Sequence, residues 1–123
     1  MNRRKRGTLA EEIAARFLQL KGYSILATGY RFRSKELDIV ARRGDVVVFV
    51  EVKMRAGDRR GTPRESVDAR KRRHVVFAAR GFLRERGLAD GRSRFDVIEV
   101  NMRRGGLVLR VEHLPDAFRA DRA

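Results

Sequence analysis

Glu36, Asp38, Glu51 and Lys53 lie in the segment Lys35 to Arg55, KELDIVARRGDVVVFVEVKMR, among residues that otherwise suit buried strands. Three carboxylates offer hard oxygen donors to a divalent cation of the Mg²⁺ or Mn²⁺ type, which also binds phosphate oxygens. Such an ion can lower the pKa of a bound water, polarise a phosphodiester and stabilise the charge of in-line displacement. Lys53, two residues from Glu51 and on the same face of an extended strand, can orient or deprotonate the attacking water, or neutralise developing charge. The plainer alternative is a ladder of solvated salt bridges on an exposed sheet face.

Two strands joined by a tight turn must position these groups. Val46, Val48, Val50, Val52 and Met54 share one face of the second strand, while the other face begins Val47, Phe49 and continues Glu51, Lys53, Arg55. A strand apolar on both sides belongs inside a sheet. The first strand puts Glu36 and Asp38 on one face, and Leu37, Ile39 and Ala41 on the other. With Arg43 and Gly44 as the turn, Asp38 falls opposite Phe49 and Glu36 opposite Glu51. Asp38 and Glu51 are then diagonal neighbours roughly 7–8 Å apart, a gap two carboxylates can close around one ion. A loop of even length keeps the carboxylates on one side, and an odd one separates them.

The remaining elements frame this hairpin. Thr8-Leu9-Ala10-Glu11 fits a capping box that opens a helix ending at Gly22, with Leu9, Ile13, Phe17 and Leu20 as its main apolar residues. Glu11 falls at the edge of the buried face, where it either completes the cap or points at the sheet. Tyr23 to Arg33 reads as a first strand interrupted near Gly29. The loop Ala56 to Gly61, containing Arg59 and Arg60, suits contact with a phosphate backbone. Thr62-Pro63-Arg64-Glu65 signals a second helix running to about Arg86. Lys71 sits on its inward stripe, either directed at the carboxylates or a bound phosphate, or snorkelling at the rim. Arg94 to Asn101 and Leu107 to Leu114 form a closing hairpin across Arg103 to Gly106, with Asp96, Glu99 and His113 given no chemical role and His113 standing alone. The resulting order is α-β-β-β-α-β-β, an α/β fold with helices packed on a central mixed sheet.

With 123 residues and 42% hydrophobic content, the chain reads as one domain over 1–123, with 1–6 and 117–123 as frayed ends. The net charge of +14 favours a polyanionic partner, nucleic acid ahead of an anionic membrane surface. A skew of 25 Arg to five Lys is what a GC-rich genome produces, but codon bias does not explain the excess of bases over 16 acids. No cysteine is present, which excludes disulfides and thiolate metal sites. The absence of a long apolar run or an apolar signal core reads as a cytoplasmic protein without a membrane span.

These residues resemble the PD-(D/E)xK nuclease superfamily with its restriction-endonuclease-like core: Asp38, then Glu51-Val52-Lys53, preceded by a helix. The chain is more closely similar to the YraN-like family of uncharacterised bacterial proteins, matching its pattern at Gly7 to Glu11, Tyr30 to Arg33, Glu36 to Asp38, Val48 to Lys53 and Lys71. The usual Gly before Glu36 is replaced by Lys35. The resemblance implies a Mg²⁺- or Mn²⁺-dependent DNA endonuclease, acting on branched or damaged DNA, with no small-molecule cofactor. Asp38 and Glu51 would be metal ligands, the Val52 carbonyl a further one and Glu36 an additional candidate. Lys53 would be the catalytic lysine. Glu11 would match the helix glutamate of the Holliday-junction-resolvase branch. Lys71, Arg31, Arg33, Arg55, Arg59 and Arg60 are the residues expected to touch DNA, and the reading admits a homodimer. The competing function is a nucleic-acid-binding module that keeps the nuclease fold without turnover.

DNA affinity is expected to fall steeply with salt, since arginine contacts release about 0.9 counterion per phosphate neutralised. A binding titration at three salt concentrations that shows no change removes nucleic acid as the partner.

Overall fold

The computed structural model describes residues 3–56, 67–103 and 107–120. Its elements are α1 (Arg3–Leu20), β1 (Ser24–Phe32), β2 (Lys35–Arg43), β3 (Val46–Ala56), α2 (Ala69–Glu85), β4 (Arg92–Met102) and β5 (Val108–Phe118). This is the α/β order expected, with five strands side by side as β1-β2-β3-β4-β5. Neighbours are antiparallel except β3 and β4, which run parallel. A parallel pair needs a crossover, and α2 lies within it.

Alternation along β3 divides the core into two layers. Val48 and Val50 pack with Ile39, Ile98 and Val100 against Ala10, Ala14 and Leu18 of α1. Val47 and Phe49 pack with Phe95 and Val97 against Val75, Ala78, Ala79 and Phe82 of α2. One helix therefore covers each face, and β3 is buried on both. Phe49, fully buried, meets Phe82 edge-on at 6.0 Å and stacks on Phe95 at 5.5 Å. Each such ring contributes about 1.5–3 kcal/mol through burial alone. No helix of the described residues is long and apolar enough to cross a membrane.

Several local expectations change. The β2–β3 turn is Gly44-Asp45, because Gly44 supplies the positive φ of 61° at the first turn position, and Arg43 pairs with Val46. The loop remains even. Helix α1 begins at Arg3, so Thr8 lies inside it and does not cap it; arginine and lysine are good helix formers and carry the helix past the capping signal. Its buried line is Ala10, Ala14 and Leu18, whereas Leu20 is 88% exposed. Small side chains let α1 lie close to the sheet. Helix α2 starts at Ala69, capped by Asp68, whose carboxylate accepts from the Lys71 N–H at 2.8 Å. The Thr62-Pro63 start and most of the Arg103 to Gly106 turn lie outside the described residues. Strand β5 continues through Ala117 and Phe118, both buried where fraying was expected.

His113 is not alone. Its Nε2 lies 2.7 Å from Asp96 Oδ2, and Lys21 Nζ lies 2.7 Å from its Nδ1. An ammonium can only donate, so Nε2 is the atom that donates to Asp96. Arg94 clasps both oxygens of the fully buried Asp96 at 2.8 Å, and the Asp116 N–H adds a bond at 2.9 Å where the β4–β5 ladder is broken opposite Pro115. Burial alone would raise the Asp96 carboxyl, but the bonds from His113, Arg94 and the Asp116 backbone hold it below the usual range. Both acids and the histidine left without a role thus differ in surroundings: this cluster ties β4, β5 and the end of α1 together, and Glu99 meets Arg55.

Gly81 in α2 marks a close approach. A Cβ there would sit 2.4–2.6 Å from the ring of Phe32, at the end of β1. Gly to Ala in a helix ordinarily stabilises by about 1 kcal/mol. Here Gly81→Ala is expected to lower stability by about 1–3 kcal/mol through overpacking, measured by thermal melting. Adding Phe32→Leu should recover part of the loss, and a more stable single variant would show that the Phe32 ring moves freely.

Candidate functional site

The site exists because β2 and β3 part company. Their pairing runs from Arg43↔Val46 to Ile39↔Val50 and stops, although the next step would set Asp38 level with Glu51. Asp38 is also passed over on its other side, where Gly29 of β1 adopts φ 59° and the β1–β2 pairing steps from Thr28↔Ile39 to Tyr30↔Leu37. In place of a ladder carbonyl, Asp38 Oδ2 accepts the Val52 N–H at 2.8 Å. The diagonal relation expected of Asp38 and Glu51 is therefore corrected to a direct one. The Gly44-Asp45 turn moves the pairing by two residues, which leaves Ile39 and Ala41 on the α1 side. Alternation breaks at Asp38, however, and Leu37, expected on the face of Ile39 and Ala41, packs instead with Val40 and Phe49 on the α2 side.

A cleft opens at this parting, lined by Ala10 and Glu11 of α1, Asp38, Glu51 to Met54, Asp68 and Lys71. Carboxylate oxygens of Glu11, Glu36 and Asp38 all lie within 4.8 Å of one another. Glu51 is only 4% exposed. Its Oε2 lies 3.3 Å from Lys71 Nζ, while its Oε1 is buried with no hydrogen-bond partner among the described residues. Asp38 is common to both groupings. Of the alternatives left open by sequence, Lys71 reaches the carboxylates and Glu11 joins Glu36 and Asp38.

The electrostatics follow from crowding. Burial first, then the charges of Asp38 and Glu36, push the Glu11 carboxyl up to about 7. Burial also drives Glu51 far above the usual carboxylate range, assisted by the Asp38 carboxyl beside it and only partly opposed by Lys71. Burial opposes the charge of Lys71, but Glu51, Asp38 and Glu36 outweigh it and hold the ammonium above its ordinary value. A buried carboxylate oxygen without a partner costs about 1–3 kcal/mol or more. The arrangement is relieved by a proton held between acids or by a cation drawn from solution, and an all-oxygen donor set suits a hard divalent ion.

The other expected residues lie around the cleft or away from it. Lys53 is exposed and lines the cleft, as does Val52. Arg31 is exposed and lies 3.8 Å from Glu36, and exposed Arg33 lies over the Phe32 ring. Arg55 is turned inward, its Nε 2.7 Å from Glu99 Oε2 with both side chains nearly buried, so it does not stand on an open DNA-facing surface. Arg59 and Arg60 lie outside the described residues. Asp68 was not anticipated at the site. An aspartate directly before a helical run is an N-cap signal, and it was masked by the stronger Thr62-Pro63 pattern.

A family model for the uncharacterised protein family UPF0102 matches residues 10–100. The chain is similar to a UPF0102 protein of Desulforapulum autotrophicum, 44% identical over 115 residues that cover 94% of this chain and 93% of the relative. Against one from Moorella thermoacetica the identity is 45% over 118 residues, covering 96% and 98%. Against one from Clostridioides difficile it is 37% over 118 residues, covering 96% and 100%.

The raised Glu11 has a signed consequence for stability. Its folded value of about 7 exceeds the ordinary 4.5, so the folded state binds more protons between those limits and stability falls as pH rises through that window. Melting temperatures measured in a chelator from pH 4 to 8 should decline over it, and Glu11→Gln should flatten part of the decline. An unchanged profile in that variant places the pH response elsewhere.

Proposed function

The chain belongs to the uncharacterised protein family UPF0102, the YraN-like family its motifs resemble, and we propose that it is a metal-dependent DNA endonuclease with the restriction-endonuclease-like core of the PD-(D/E)xK superfamily. The observation that carries this reading is Glu51: a buried carboxylate with an unpartnered oxygen, beside Asp38 at the break in the sheet. A solvated salt-bridge ladder would leave that oxygen in water. A module that only binds nucleic acid gains nothing from acids that repel phosphate.

Under this reading Asp38 and Glu51 would hold a Mg²⁺ or Mn²⁺ ion, with Glu11 lining the same cleft, Glu36 clustered with Glu11 and Asp38, and the Val52 carbonyl as a further ligand suggested by the superfamily pattern. When bound, the ion supplies Lewis-acid stabilisation of phosphate charge and a more acidic water. Lys53, at the rim, orients the attacking water, takes its proton or meets the charge that develops on the phosphate. Hydrolysis forms a bond from water oxygen to phosphorus and breaks one to a sugar oxygen, which leaves with a proton. Lys71 keeps Glu51 oriented and limits the repulsion among the acids.

Single-stranded, duplex, flap and four-way-junction DNA should be assayed with Mg²⁺ and with Mn²⁺. Lys53→Ala is expected to reduce cleavage about 10²–10⁴-fold while leaving the fold and most DNA affinity intact; wild-type rates in this variant would remove Lys53 from the mechanism. In melting curves without DNA, the ion should stabilise the wild type by about 1–3 kcal/mol at ten- to a hundredfold above its dissociation constant. Asp38→Asn should lose most of that response together with cleavage. An equal response in the variant would mean that Asp38 is not a ligand.

A further inference from the structure

The outward side of α2 carries a second feature that the carboxylate cleft does not use. Arg70, Arg73, Phe77, Arg80 and Arg84 recur at helical spacing on one face, and all five are exposed. None of the four guanidiniums pairs with an acid of the described residues. Like charges three and four residues apart weaken a helix, so this face is built against its own stability. In its middle stands a phenyl ring, 46% exposed.

That ring is held from below. Phe77 lies 5.5 Å from Phe32, and Phe32 sits where a Cβ on Gly81 would otherwise be. Exposed Arg33 lies over the far ring at 5.7 Å, and Lys35 is close enough to His74 to act on its charge together with Arg70, Lys71 and Arg73. The result is a fixed aromatic surface bordered by cations from both α2 and the β1–β2 turn.

We propose that this surface binds an unpaired stretch of the DNA substrate, one base stacking on Phe77 while the arginines contact neighbouring phosphates. The inference rests on the nuclease reading and names its substrate class. A duplex would engage the guanidiniums equally well, but it keeps its base faces inside the stack and offers nothing to an exposed ring. Single strands present those faces, and a groove of cations interrupted by an aromatic platform is how they are held without sequence preference. Phe77 follows Lys71 by six residues, about 9 Å along the helix. Six residues also turn the helix to about 120° short of two full turns, so a strand seated on the platform curves around α2 to bring a phosphate to the cleft, and cleavage falls several nucleotides from the stacked base.

The chain contains no tryptophan, so Phe77→Trp installs a single reporter. The probes are a dT twelve-mer and a hairpin duplex of twelve base pairs, both in chelator so that no cleavage runs, with anisotropy of the labelled DNA read beside tryptophan emission. Quenching of the indole emission by the dT oligomer and not by the duplex is the expected result. Phe77→Leu, which keeps the bulk and removes the π face, should weaken the dT complex about tenfold, within the range for one stacked base, and leave duplex affinity unchanged. If anisotropy reports binding of dT while the indole emission stays constant, or if Phe77→Leu weakens both probes equally, the platform is wrong and the nuclease reading is untouched. If neither probe binds to the wild type, both fall.

Discussion

The structure depends on one unfavourable contact, the Glu51 carboxyl buried beside Asp38. A central strand has no place for an acid unless something prevents the sheet from closing over it. Here β2 and β3 separate one residue before the two acids would pair, and Asp38 accepts the Val52 N–H that the ladder leaves behind. The apolar half of the hairpin, from Val46 to Val50, holds the strands together and so fixes the point where they part. Both helices reach that point from opposite faces of the sheet: α1 lies near because its contact residues are Ala10 and Ala14, and α2 starts there because Asp68 caps it. The Lys71 ammonium and the Glu11 carboxyl reach the break as a consequence.

The two lysines do different work under the proposed mechanism, and their surroundings separate them. Lys71 lies 3.3 Å from a buried carboxylate and is held as a cation by three acids. It suits a positioning role, keeping Glu51 in place and its charge tolerable. Lys53 follows Glu51 by two residues on a strand and emerges at the exposed rim. It can follow a substrate that arrives from solution, which a residue locked into an ion pair cannot do.

Much of this was legible in the sequence because a strand's side chains alternate with period two. The turn expected at Arg43-Gly44 formed at Gly44-Asp45, yet displacing the turn centre by one residue shifts the pairing by two, so the paired residues keep their faces up to Ile39 and Val50, and Asp38 and Glu51 line one cleft just beyond. What was not legible depended on neighbours distant in sequence. Arg55 looked like a DNA contact until the parallel pairing of β3 with β4 brought it against Glu99. His113 looked isolated because Lys21 and Asp96 approach it only through the fold. Glu11 stood at the edge of a helical face in the sequence, and only the depth to which Ala10 and Ala14 allow α1 to settle decides that it meets Glu36 and Asp38.

A chain of net charge +14 that concentrates acids in its cleft carries two opposed fields. At long range the arginines attract a polyanion and raise its local concentration. At the cleft, Glu11, Glu36, Asp38 and Glu51 would repel any phosphate that the wider surface drew in, unless protons or a cation neutralised them. Under the proposed function, then, ion and DNA each improve the site for the other: the ion removes the repulsion, and the phosphate supplies oxygen ligands that the protein does not. Such coupling is reciprocal by thermodynamic necessity. Burial of Glu51 sharpens it, because a carboxylate that cannot be screened by water responds most strongly to the arrival of a positive charge.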